Sequence, residues 1–398
     1  LQQQIIQTLI TRAASTFLNF LIALVIARHA GPEVKGEVTL LVTSVWFVTF
    51  FSNILGGPVL VYVIPRSKVE ELLGPSYVWA LLVAVLAFVV LYALPFYNFP
   101  VALTVAAIAL VTSLLNIHQT VLMAKQQIGR ANMLALTVLA LQTLGVLLCF
   151  YAFNIHDSYA YIYSTLVAHA LTMAVSFRFI LPYWRSVRFS SICMSEELKA
   201  LFTHGFQYQL VEILQLLNLR LYFFQLGLQQ GNKYLGIYSI GISILESVWL
   251  IPRSMATVHY ISTANSYEIK KEQERTIQLL AYSSVLCAVA LMAIWFVPAN
   301  VYAYVFGHGF GDVRHSIRYL FPGILVYSLW IVLSSFYFGT GHYKPLVVSS
   351  LAGVVALILF SAYLIPQYVM SGAGLAASLS FSIATVVLAA HFVYLRRQ

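Results

Sequence analysis

Twelve long apolar segments run through this chain with only short polar breaks between them. They fall near residues 5–28, 37–64, 75–97, 100–124, 131–153, 158–181, 200–228, 234–262, 277–298, 317–340, 344–366 and 372–395. A helix needs about 20 mostly apolar residues to cross the hydrocarbon core of a bilayer. Barrel strands need only about 10, so helices are expected. The breaks carry turn chemistry, as in "HAGPEVKG", "FYNFP", "NIHDS", "QQGNK" and "GTGHYKP". The expected class is all-α: a polytopic membrane protein with about 12 transmembrane helices.

Composition agrees. Of the 398 residues, 61% are hydrophobic and 9% charged, against roughly 25% charged in a soluble domain. The net charge of +9 comes from basic residues spread over many loops. They form no patch, so a nucleic-acid partner is not expected. Cys149, Cys193 and Cys287 are scattered and make no metal or redox motif, and no cofactor is implied. The chain starts at Leu1, and further residues are expected before it. The first apolar segment is long enough to span, so it does not read as a cleavable leader.

Lysine and arginine set the orientation. With a cytoplasmic N-terminus, the cytoplasmic loops and tail hold thirteen: Arg66, Lys68, Lys125, Arg130, Arg185, Arg188, Lys199, Lys270, Lys271, Arg275, Lys344, Arg396 and Arg397. The opposite loops hold four: Lys35, Lys233, Arg314 and Arg318. The bias places both termini in the cytoplasm. No loop exceeds about 20 residues, so there is no room for a catalytic domain and the chain is not read as an enzyme. No GxxxxGK[ST] motif, arginine ladder or TVGYG filter occurs.

The longest cytoplasmic connection, "PYWRSVRFSSICMSEELKA", divides the chain into six-helix bundles at 1–181 and 200–398, joined by a linker at 182–199. A short echo accompanies this division. "GPEVKGEVTLL" starts at Gly31 and "GNKYLGIYSIG" at Gly231, each between the first two helices of its half. Each also has a glycine five residues on, Gly36 and Gly236. Transporters are often built from repeated halves.

Away from the ends of the spans, the charged residues that stand out are Arg12, Glu212, Arg220, Glu246 and Arg253. Such groups usually face a bundle interior or a hydrated cavity. At 100° per residue, Thr8, Arg12, Thr16 and Asn19 share a stripe of the first helix; Gln209, Glu212 and Arg220 share an arc of the seventh; Ser239, Ser243, Glu246 and Arg253 share a face of the eighth. Together these faces would line a central, largely cationic cavity. Plainer readings stay open. Arg12 and Arg253 are shallow enough to snorkel to the interface, and Glu246 with Arg253 could be a packing ion pair. Arg220 lies too deep for easy snorkelling, and could pair with Glu212 or Glu246. His118, His169 and His204 read as helix-contact residues, the aromatics mostly as belt residues, and "YEIKKEQERT" as a solvated connection.

The C-terminal region carries a resemblance. "YLIPQYVMSGAGLAASLSFSIA" runs Leu364-Ile365-Pro366 and then Gly372-Ala373-Gly374-Leu375-Ala376-Ala377-Ser378. Upstream, "VYAYVFGHGFGDVRHSIRYLFPGILVY" has Phe306-Gly307 before a glycine-rich outer turn. "ARHAGPEVKGEVTLL" supplies Ala27-Arg28, Gly31-Pro32 and Gly36, and "EELKALFTHGFQYQL" enters the seventh helix. In this order the motifs resemble the Wzx-type polysaccharide flippases of the multidrug/oligosaccharidyl-lipid/polysaccharide exporter superfamily. The proline usual after the position of Gly205 is absent, and the first helix carries Arg12 where related drug exporters often have an aspartate.

The resemblance implies a flippase for undecaprenyl-diphosphate-linked oligosaccharide (an O-antigen, capsule or exopolysaccharide unit) in the bacterial cytoplasmic membrane. Its partners would be the bilayer, the lipid-linked oligosaccharide, H+ or Na+ as coupling ion, and other polysaccharide-assembly membrane proteins. Arg12, Arg220, Arg253, Asn19 and Gln209 are then the substrate contacts, since arginine offers a permanent charge and a planar donor fork to a diphosphate. Glu212 and Glu246 would pair with the arginines or carry the coupling proton. The alternatives are a cation-coupled drug or metabolite antiporter of the same superfamily, the lipid II flippase branch, which usually has more spans, and a membrane-embedded glycan polymerase or glycosyltransferase. The last would need catalytic acids in an outer loop, and the chain has only two aspartates, Asp157 and Asp312.

Overall fold

The computed structural model describes residues 2–57, 60, 64, 69–95, 97–184, 196–264 and 268–397. Side chains are described for these except 2–9, 12, 196–205, 207, 208, 261 and 264. Most of the expected 182–199 linker and the side chains of Arg12 and His204 therefore lie outside the described residues. Among the described residues every regular element is helical: α1 Gln2–Gly56, α2 Val69–Ala93, α3 Phe99–Ala124, α4 Ile128–Tyr151, α5 Ser158–Trp184, α6 Glu196–Gln230, α7 Asn232–Glu246, α8 Leu250–Ala264, α9 Ile269–Trp295, α10 Ala299–Phe306, α11 Val313–Thr340 and α12 Tyr343–Arg397. Single 3-10 turns lie at Ser247–Trp249 and His308–Phe310.

The helices α1 and α12 are 55 residues each. Straight, either would reach roughly 80 Å, more than twice the hydrocarbon thickness. Both break in the middle. Gly31 has φ 81 and ψ −179, a conformation only glycine adopts freely, and Pro32 restarts the helix with its φ already set. In α12 the break is at Val369, φ 51 and ψ −121, where a β-branched residue is strained. The sequence places separate helices on either side of these positions, and the backbone leaves helical geometry at both. Counting each arm of α1 and α12 as one crossing, and α7–α8 as one, the helices trace the twelve apolar segments.

What surrounds the protein is legible from its exposed faces. Among the described residues nine helices are long and apolar enough to cross a membrane. Only 22% of the most apolar window of α2 and 17% of that of α9 is buried. On α2 the exposed stripe is Leu81, Leu82, Val85, Leu86, Val89 and Val90. Each such side chain left in water would forgo about 1.5–3 kcal/mol, so the face requires lipid. The protein is an all-α, multi-pass membrane protein.

The helices group into two compact units, residues 1–30 with 41–209, and residues 31–40 with 210–398. The first has a core in which Ile54, Leu55, Leu72, Leu73, Ile117, Leu122 and Leu134 pack together. His118 is buried there, taking Tyr77 Oη on one ring nitrogen and Ser176 Oγ, at 2.6 Å, on the other. The second unit contains the N-terminal end of the second span, residues 31–40, for a steric reason. A Cβ on Gly36 would lie 1.8 Å from the carbonyl oxygen of Asn232, and one on Gly236 would lie 1.7 Å from that of Pro32. Gly231, like Gly31, has positive φ, 96. The two echo segments are thus pressed backbone to backbone in a reciprocal contact that tolerates no side chain.

Candidate functional site

Glu212 and Arg220 of the seventh span and Glu246 and Arg253 of the eighth lie together in the second unit. Helix α6 carries Glu212 and Arg220. Helix α7 ends at Glu246, and local chemistry explains why the span breaks there. Pro252 has no N–H to give to Val248, and its ring clashes with that carbonyl. It is tolerated in the first turn of α8, so the span passes through the 3-10 turn Ser247–Trp249 first. Ser239, Ser243 and Ser247 add to the bend. Their hydroxyls donate to the carbonyls of Gly236, Ser239 and Ile244 at 2.8, 2.7 and 2.6 Å.

At this break Glu246 meets Arg220. Nη1 donates to Oε1 and Nη2 to Oε2, both at 2.6 Å. The side chains are 11% and 18% exposed. Nη1 also donates to the Leu219 carbonyl at 3.1 Å, and the guanidinium lies 5.1 Å from the centre of the Phe223 ring. This is a two-pronged, charge-assisted pair beside an aromatic face. Tyr222 and Tyr238, both fully buried, stand edge to face beside it, with ring centres 5.7 Å apart, and Tyr238 Oη donates to Tyr222 Oη at 3.4 Å.

Glu212 lies about two helical turns before Arg220 and is half-buried. Among the described residues no cation comes within ion-pair distance of it, although the charge of Arg253 acts on it. Arg253 is exposed, and its guanidinium lies 5.7 Å from the centre of the Trp249 ring. The packing pair considered for Glu246 and Arg253 does not form, because Arg220 takes both carboxylate oxygens. Trp249 is fully buried and donates to the Ile324 carbonyl at 3.0 Å.

Sequence reasoning missed Tyr327. Its ring packs on Trp249 and Phe381, with centres 4.9 and 4.8 Å away. It is 2% exposed, and its hydroxyl has no hydrogen-bond partner among the described residues. Arg253, Glu212, Glu246 and Arg220 all act on it electrostatically. Nothing in the sequence set it apart from the other 24 tyrosines, because its importance comes from the packing of α11 against α8 and α12.

The remaining candidates lie in the first unit. Asn19 is exposed and donates its amide to the Ser15 carbonyl at 2.9 Å, within its own helix. Gln209 is 2% exposed, and its Oε1 lacks a partner among the described residues. Arg12 lies on α1, with its side chain outside the described residues. The second unit therefore holds a buried guanidinium–carboxylate pair, a second carboxylate, an exposed arginine on an indole and an unsatisfied phenol. Such a set can bind an anion by exchanging Glu246 for it, or take up a proton at a carboxylate.

No protein-family model and no curated protein matches this sequence. Solved structures match along its whole length. A multidrug resistance MATE family transporter of the MOP superfamily, in an inward-facing conformation, is 12% identical with a TM-score of 0.78, covering 96% of each chain. A MOP superfamily transporter from Pyrococcus furiosus is 14% identical with a TM-score of 0.69, covering 98% of this chain and 94% of the other. The lipid II flippase MurJ, in an inward closed conformation, is 12% identical with a TM-score of 0.71, covering 100% of this chain and 90% of the other. At such identities the likeness is one of fold, and the chain has the fold that MOP-superfamily transporters and the lipid II flippase share.

Proposed function

We propose that this protein is a MOP-superfamily flippase of the Wzx type, moving an undecaprenyl-diphosphate-linked oligosaccharide across the bacterial cytoplasmic membrane. The observation that carries the reading is the Arg220 fork, buried and held by a carboxylate at 2.6 Å on both prongs. A phosphate group of a diphosphate offers two anionic oxygens to the fork, as a carboxylate does, and arginine binds either in bidentate fashion. Glu246 acts as a stand-in that occupies the fork until substrate arrives. Protonating Glu246, or moving it by bending at the 3-10 turn, frees the fork. Glu212 is the second carboxylate able to carry a coupling proton, and Na+ is the alternative ion. Arg12 and Arg253 are first contacts from the cytoplasmic side, with Asn19 and Gln209 offering amides to sugar or phosphate.

The sugar and diphosphate need a hydrated path, while the polyprenyl tail stays in lipid. The two six-span halves, 1–181 and 200–398, would alternate access to that path, with both termini cytoplasmic as the thirteen-to-four charge bias supports. The test is ligand-induced stabilisation of the purified protein. A polyprenyl-diphosphate oligosaccharide should raise the melting temperature of the wild type and leave Arg220→Ala unmoved; a polyprenyl monophosphate should act weakly. Stabilisation by cationic drugs in its place would establish the antiporter reading, for which Glu212 would be the binding carboxylate.

A further inference from the structure

A second polar cluster is buried in the second unit where α8 turns back into α9. His259 of α8 is 1% exposed, and Glu272 and Thr276 of α9 are 4% and 0%. The sequence reading gave "YEIKKEQERT" to solvent. Only one face of it is solvated: Lys270, Lys271, Glu274 and Arg275 point out, while Glu272, Gln273 and Thr276, at i, i+1 and i+4, point in.

Hydrogen-bond direction counts the protons here. The Thr276 hydroxyl donates to the Glu272 carbonyl at 2.6 Å, and the Ser335 hydroxyl of α11 donates to the Val332 carbonyl at 2.7 Å. A carbonyl only accepts, and a hydroxyl has one hydrogen. Toward His259 both hydroxyls are therefore acceptors. Thr276 Oγ1 lies 3.2 Å from Nε2 and Ser335 Oγ 2.9 Å from Nδ1. Two acceptors require two N–H groups, and a neutral imidazole has one.

The counter-charge is in place. Glu272 Oε2 is 3.7 Å from His259 Nε2. The carboxylate also accepts from Ser262 Oγ at 3.2 Å and Thr263 Oγ1 at 3.3 Å. Other ionisable groups of the packed helices are accounted for. Arg275, half exposed, is 3.9 Å from Glu272 Oε1 and donates to Ser262 Oγ at 2.8 Å. Glu268 and Lys271 pair with each other on the exposed side at 3.5 Å. Tyr260 of α8 is exposed. Tyr337 of α11 bonds His391 of α12 at 2.8 Å.

We propose that His259 is a proton-binding site, occupied in this conformation, whose bound proton ties α8, α9 and α11 together with Glu272 as its counter-ion. The step is simple: neutral imidazole takes one proton and becomes imidazolium, with no other bond made or broken. Losing the proton sets a ring lone pair against a hydroxyl lone pair, so a hydroxyl must leave its carbonyl or the helices must part. That this exchange serves transport rests on the function proposed above; the proton site itself does not.

The test is melting temperature against pH, from about 5 to about 9, a range that spans histidine titration. The imidazolium form has every hydrogen bond met, so its stabilisation is present at low pH and lost as pH rises. The wild type should show this fall and His259→Gln should be flat. Glu272→Gln, lacking the counter-charge, should move the fall toward acid by about one pH unit or more. Nitrogen-15 spectra of histidine-labelled wild type give a readout independent of folding defects in the variants. A doubly protonated ring at neutral pH is expected, absent from His259→Gln. Equal pH profiles in wild type and His259→Gln, or a neutral His259 ring throughout, would overturn the proposal. Titration without transport of lipid-linked glycan would remove the flippase reading alone; transport without titration would remove the proton site alone.

Discussion

Truncating Arg220 to alanine would remove one partner of a pair whose side chains are 11% and 18% exposed. The carboxylate of Glu246 would remain, inside an aromatic and aliphatic surround, with both oxygens stripped of donors. Breaking a buried pair from one side costs about 3–5 kcal/mol, most of it the desolvation of the charge left behind. Losing the contact with Phe223, 5.1 Å away, adds roughly 0.5–1 kcal/mol. Replacing both partners leaves no orphan charge, so Arg220→Met with Glu246→Gln should cost much less than Arg220→Ala alone. In a double-mutant cycle on Arg220→Ala and Glu246→Gln, the double variant should recover on the order of 2 kcal/mol relative to the sum of the single ones. The assay is reversible denaturation of the purified protein in one fixed detergent. Strict additivity would mean that the two groups do not depend on each other for solvation.

Four further outcomes follow from the same geometry. Arg220→Lys keeps the charge and loses the fork, so ligand binding and transport should both be intermediate between wild type and alanine. Gly236→Ala would place its Cβ 1.7 Å from the Pro32 carbonyl oxygen and should lower stability by about 1–3 kcal/mol or more, whereas Gly311→Ala, with nothing within 4 Å, should be neutral in the same melt. Reporter fusions after Arg188 and Lys271 should read cytoplasmic and one near Gly309 should read external; opposite signs at two of the three would overturn the orientation. If Glu212 or Glu246 carries a coupling proton, transport by Glu212→Gln with Glu246→Gln should lose its dependence on a pH gradient, and an unchanged dependence would remove them from that role.

The crossings were readable because lipid demands long apolar runs, and nothing about packing has to be known to see them. The two sharpest bends were only half readable. Gly31-Pro32 announces a break, since glycine and proline are the residues that permit one. Val369 announces nothing, because its positive φ is imposed by the surrounding chain against its own preference. The Gly36 and Gly236 echo had no physical meaning as a spacing, and acquires one when each glycine is seen facing the other segment's backbone. In the candidate site, Arg220 and Glu246 stood out because charge is rare in a span. That they pair with each other depends on the break before Pro252, a rotation too local for an average helical wheel. Tyr327 and the inward face of the Glu272 helix were hidden by company: one aromatic among many, and one acid within a charged run.

Transport of a lipid-linked glycan is read out as flipping by the purified protein in liposomes. A polyprenyl-diphosphate oligosaccharide is placed in both leaflets, and a membrane-impermeant reagent that cleaves the sugar is added outside. In protein-free liposomes about half of the glycan should be protected, because it cannot cross hydrocarbon. With wild-type protein the protected half should become accessible, and with Arg220→Ala it should stay protected although the variant inserts. Protection unchanged by the wild-type protein, under ion gradients of either sign, would rule out transport of a lipid-linked glycan.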